Sequence, residues 1–93
     1  MNGMDDGRLA AELQEMIAPG DAMISRMLAA GEHLPAIVTL VEVGVEDRVA
    51  VPARHLDAVQ ALIDDGAFDA DDRRSVAGDL SELRASGNVK EQR

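Results

Sequence analysis

The chain has no cysteine among its 93 residues, one aromatic side chain (Phe68), and half as many basic residues as acidic ones, 9 against 18. Without cysteine there is no disulfide framework, no thiolate metal site and no thiol nucleophile. No apolar run approaches the roughly 18 residues of a membrane-spanning helix. The opening Met1-Asn2-Gly3-Met4-Asp5-Asp6 has neither the basic segment nor the apolar stretch of a secretory leader, so the sequence predicts a cytoplasmic chain. What is present is 46% hydrophobic residues and a net charge of -9. That composition suits one small soluble domain over 1-93, with frayed ends at 1-4 and 88-93.

The charge is uneven. Met1 to Asp47 carries nine acids against Arg8 and Arg26, whereas Arg48 to Arg93 carries nine against seven bases. So acidic an N-terminal half repels phosphate backbones and anionic lipid, which disfavours nucleic acid and membrane as partners. It suits a basic protein surface, including a nucleic-acid groove that carboxylates occupy by imitating phosphates. Asp5, Asp6, Glu12 and Glu15 form the candidate acidic face for such a partner.

Hydrophobic spacing predicts a first helix from about Asp6 to Ala18, with Leu9, Ala10, Leu13, Met16 and Ile17 on one face and aspartate at its start. Pro19-Gly20 breaks it. Asp21 then caps a shorter helix with Met23, Ile24, Met27 and Leu28 on its apolar side, ending at Gly31. Met16, Met23 and Met27 are expected to fill core gaps on these buried faces.

Ala36 to Val43 is dense in β-branched residues and flanked by Pro35 and Gly44, which predicts a strand. Both of its faces are apolar, so cover is expected on two sides, in part from a second copy. Ile37, Val38, Leu40 and Val41 are the candidate oligomer interface. Gly44 to Asp47 reads as a turn and Arg48 to Pro52 as a second strand, giving a β-hairpin. A helix from Ala53 to Asp65 follows, with Leu56, Val59, Leu62 and Ile63 inward and Gly66 at its end. Phe68 anchors the connector, and Asp69, Asp71 or Asp72 caps a last helix with Val76, Ala77, Leu80 and Leu83 inward, closing at Gly87. The predicted fold is α+β, ordered α-α-β-β-α-α, with the hairpin packed against helices.

No motif for chemistry emerges. His33 and His55 stand 22 residues apart with no second histidine beside either, and both read as surface or boundary residues. Ser25, Ser75, Ser81 and Ser86 lack an elbow motif, and no glycine-rich phosphate loop occurs. The acidic run from Asp64 to Asp72 lacks the alternation of a calcium loop and reads as the charged ends of two helices. No catalytic residue, metal ligand or cofactor is expected.

Val49-Ala50-Val51-Pro52, then Val59, Leu62, Ile63, Gly66 and Phe68, with Asp72 as a cap, resembles the antitoxin branch of the ribbon-helix-helix family over about residues 48-84. It differs at His55, where that family has an aliphatic residue. The resemblance implies paired strands in a DNA major groove, Arg48 and Ala50 reading base edges, and Arg73 and Arg74 holding phosphate. Three functions are therefore expected of this sequence. The first is a non-catalytic acidic regulator or inhibitor, antitoxin-like or encoded by a phage or plasmid, binding a basic protein and self-associating. The second is the ribbon-helix-helix DNA-binding antitoxin, the only reading with a nucleic-acid partner. The third is a structural subunit of a homo-oligomer.

Overall fold

The computed structural model describes residues 5-91. Five helices account for the regular structure: α1 (Asp6–Ile17), α2 (Ala22–Ala29), α3 (His33–Glu46), α4 (Ala53–Asp64) and α5 (Ala70–Glu91). Among the described residues there is no strand, so the fold is all-helical and the expected β-hairpin is absent.

The correction centres on α3. Its β-branched residues Ile37, Val38, Thr39, Val41, Val43 and Val45 weaken helix propensity by about 0.3 to 0.5 kcal/mol each, about 2 to 3 kcal/mol together. Burial outweighs that. Ile37, Leu40 and Val41 are fully buried, and each stabilises by about 1.5 to 3 kcal/mol relative to exposure. α3 packs against α1, α2 and α5, which makes it the central helix. A helix covered on several sides needs apolar residues around most of its girth, and that requirement produces the composition of a two-sided buried strand. Pro35 does not interrupt the helix, because it sits in the first turn, where a missing amide leaves no bond unmade.

Gly44, expected in a turn, lies inside α3 and is buried. A Cβ there would stand 3.3 Å from Ile17 Cδ1 and 3.5 Å from Leu83 Cδ2. The bare backbone lets side chains of α1 and α5 close on α3. The helix ends in a Schellman motif, with Val49 N–H donating to Gly44 O at 3.0 Å and Arg48 N–H to Val45 O at 3.2 Å. The same pair of bonds closes α2 around Gly31 and α4 around Gly66, both at positive φ. Arg48 takes the left-handed position at φ 57. A non-glycine residue there costs about 1 kcal/mol. Its cation is of the favourable sign beside the last carbonyls of a helix with no basic residue in its last turn. Arg48 to Pro52, expected as a second strand, forms no strand: Arg48 belongs to the turn that ends α3, and Val49 to Pro52 are an irregular connector whose Val51 is buried.

Aspartates start three helices. Asp5, Asp21 and Asp69 accept from the backbone N–H of Arg8, Ile24 and Asp72 at 2.7, 3.0 and 2.9 Å. α1 and α2 pack together, α4 packs on α1 and α5, and α5 lies along α3. The core joins Leu9, Leu13, Ile24, Leu56, Val59, Phe68, Val76, Leu80 and Leu83 to the buried residues of α3. Phe68 is 7% exposed and pins the α4–α5 connector as expected. Four other details differ from the sequence reading. Ala77 is exposed, Met23 is exposed, His55 is buried, and the last helix continues past Gly87 to Glu91. Of the expected frayed ends, residues 1-4, 92 and 93 lie outside the described residues.

Candidate functional site

Most of the acidic face expected on the first helix is tied into the fold itself. Asp5 caps α1 through Arg8 N–H. Asp6 Oδ1 lies 3.8 Å from His33 Nδ1, and the His33 ring covers Gly7 so closely that a Cβ there would stand 2.9 Å from its Cε1. Glu12 uses both oxygens: Oε2 accepts from Arg8 Nε at 3.0 Å, and Oε1 lies 2.8 Å from His55 Nε2. Glu15 is exposed and forms no ion pair among the described residues.

His55 is the least accessible polar residue of the described chain, at 2% exposure, and it joins α4 to α1 through Glu12. An ionised carboxylate only accepts, so Nε2 carries the hydrogen and donates to it. Nδ1 is buried and has no hydrogen-bond partner among the described residues. The bond from His55, reinforced by Arg8, holds the Glu12 carboxyl below its ordinary value of 4.5. This pair is a structural link, since both its groups face each other across a helix contact.

A second group of carboxylates has the opposite surroundings. Glu42 and Glu46 lie four residues apart on α3, and Asp79 and Glu82 three apart on α5, the helix packed along it. None of the four forms an ion pair among the described residues. Asp79 is half-buried, and its Oδ2 is enclosed without a hydrogen-bond partner there. Burial first, then the charges of Glu42, Glu46 and Glu82, pushes the Asp79 carboxyl above its ordinary 3.8. The sequence reading missed this group because it placed Glu42 at the end of a strand and Glu46 in a turn. With α3 continuous through both, they stand one turn apart on one side of it.

Ile37, Leu40 and Val41, candidates for an oligomer interface, are buried in the chain's own core, and Val38 is half-buried. They belong to α3, and α1, α2 and α5 of the same chain pack against that helix. Of the candidate DNA contacts, Arg48 is exposed at the end of α3, while Arg73 and Arg74 are exposed in the first turn of α5, Arg74 3.8 Å from Asp71. They flank no ribbon, because Val49 to Pro52 form no strand. Among the described residues no three His, Asp or Glu side chains are grouped to hold a metal ion. No described helix is long and apolar enough to cross a membrane. No family model matches the chain, and neither a curated protein nor a solved structure matches it.

Proposed function

We propose that this chain is a non-catalytic, cytoplasmic regulator or inhibitor that acts by binding a protein with a basic surface. The observation that carries the reading is the unneutralised carboxylate group of Glu42, Glu46, Asp79 and Glu82 on α3 and α5, where burial first and then the neighbouring glutamates raise the Asp79 carboxyl. Like charges held this close destabilise the free protein slightly, and a lysine or arginine brought by a partner relieves that repulsion on binding. The Asp5, Asp6, Glu12 and Glu15 face contributes less, because three of its four members already have partners within the chain. Glu15 remains available to a partner.

The test is a pull-down from the native host with the wild-type chain and a Glu42→Lys/Glu46→Lys variant, washed at low and high salt. A protein retained by the wild type, released by high salt and not captured by the variant is the expected result. Equal capture by both chains would sink the reading, and recovery of DNA in place of protein would replace it with the operator-binding one.

A further inference from the structure

α2 is a largely apolar helix that the fold leaves mostly uncovered. Of its eight residues only Ile24 is buried, and among the described helices α2 packs against α1 and α3 alone. Its polar tie is Gln14 on α1, whose side-chain amide donates to Asp21 O at 3.3 Å and Ser25 Oγ at 3.0 Å. Away from Ile24 the helix exposes Ala22, Met23, Arg26 and Ala29. Met23, at 50%, is the one large hydrophobic side chain exposed among the described residues, and half-buried Met27 lies one turn further along beside it.

We propose that this face of α2 docks an amphipathic helix of another protein, one whose apolar side is flanked by lysine or arginine. Ala22 and Ala29 allow a partner backbone to come close, while the flexible thioethers of Met23 and Met27 adapt to the side chains it brings. Charge selects the occupant. Exposed Glu32 stands just beyond the end of α2, Asp21, which also caps the helix, at its start, and Glu15 beside Gln14 in sequence; none is in an ion pair among the described residues, and together they outnumber Arg26, the exposed cation of α2. A second copy fits poorly. Antiparallel two-fold pairing of α2 would bring Arg26 near its own duplicate and Asp21 near the other copy's Glu32, on top of a net charge of -9 per chain.

The inference stands on α2 and not on the carboxylates of α3 and α5, and its test separates the two. The whole chain, isotope-labelled, is titrated with a synthetic helical peptide bearing leucines on one face and lysines at both ends. Two control peptides have the leucines replaced by glutamine, or the lysines by glutamate. The expected result is amide shifts concentrated over residues 22-30, with affinity lowered about tenfold or more by Met23→Gln and by either control peptide. Met23 is exposed, so that variant should keep the wild-type thermal midpoint. Glu42→Lys/Glu46→Lys should leave this binding in place. Binding that ignores the leucines and shifts only Glu42, Glu46 and Asp79 would overturn the α2 site while favouring the acidic surface. Absence of binding would overturn it too, as would self-association through α2 without peptide.

Discussion

Glu12 and Asp79 are carboxylates at helix surfaces, yet the fold treats them oppositely. Glu12 has a cation on its own helix, Arg8, and a buried donor from another, His55, and its carboxyl is held low. Asp79 faces Glu42, Glu46 and Glu82, has one oxygen enclosed without a partner, and its carboxyl is held high. The contrast teaches that net charge says little about where a negative surface is available. The acidic face of Asp5, Asp6, Glu12 and Glu15 is largely consumed by a cap and ion pairs inside the fold, and an unpaired negative field arises where two helices distant in sequence meet.

The largest break of this comparison removes the buried donor. His55→Ala leaves a cavity at a site only 2% exposed and strips Glu12 of its strongest partner, so it should cost about 2 to 4 kcal/mol. Urea denaturation measures it, and an unchanged midpoint would mean that the α1–α4 link contributes nothing. Next, Glu46→Lys gives Asp79 the kind of neighbour that Glu12 has. The Asp79 titration, followed by NMR, should move downward, with a stability gain below about 1 kcal/mol because the site is partly solvated. An unmoved titration would assign the shift to burial alone.

Asp79→Asn tests the same point with smaller effect and a defined pH signature. Because the folded Asp79 carboxyl is raised, its charged form opposes folding above the folded pKa, and the penalty fades as pH falls towards its ordinary 3.8. The variant should therefore be more stable than wild type at neutral pH, and the gap should close on acidification. Glu12→Gln should do the reverse. Its lowered carboxyl contributes stability fully present above its ordinary 4.5 and lost as pH falls through the folded value. Wild type should exceed that variant at neutral pH and approach it in acid. Thermal melts between pH 3 and 7, an interval chosen about the ordinary carboxylate range, distinguish the two signs.

Much of the helical framework was legible. Asp5, Asp21 and Asp69 cap the helices whose starts they announce, and Gly31 and Gly66 take the left-handed positions at helix ends. The spacing of Leu9, Leu13 and Ile17, and of Leu56, Val59 and Ile63, matches the buried faces of α1 and α4. α3 was misread because β-branched richness and apolarity on both sides describe a covered helix as well as a covered strand. The run Ile37, Leu40, Val41, Gly44 had helical spacing all along, and Arg48 in a glycine's place hid the Schellman motif that ends it. A strand ending at Val43 separates Glu42 from Glu46, so the sequence alone does not join them into a candidate surface, and nothing local pairs His55 with Glu12, 43 residues away.

By itself the sequence determined the charge, the aspartate starts of helices, the glycine stops at Gly31 and Gly66 and the apolar stripes of α1 and α4, all of which depend on residues within a few positions of one another. Only the tertiary structure decided that residues 33-46 are a helix, that His55 is buried against Glu12, and that Asp79 stands among the glutamates of α3. Local propensity there is weak or adverse by a few kcal/mol. Burial of a central helix by three neighbours is larger, and it exists only once the whole chain has closed around it.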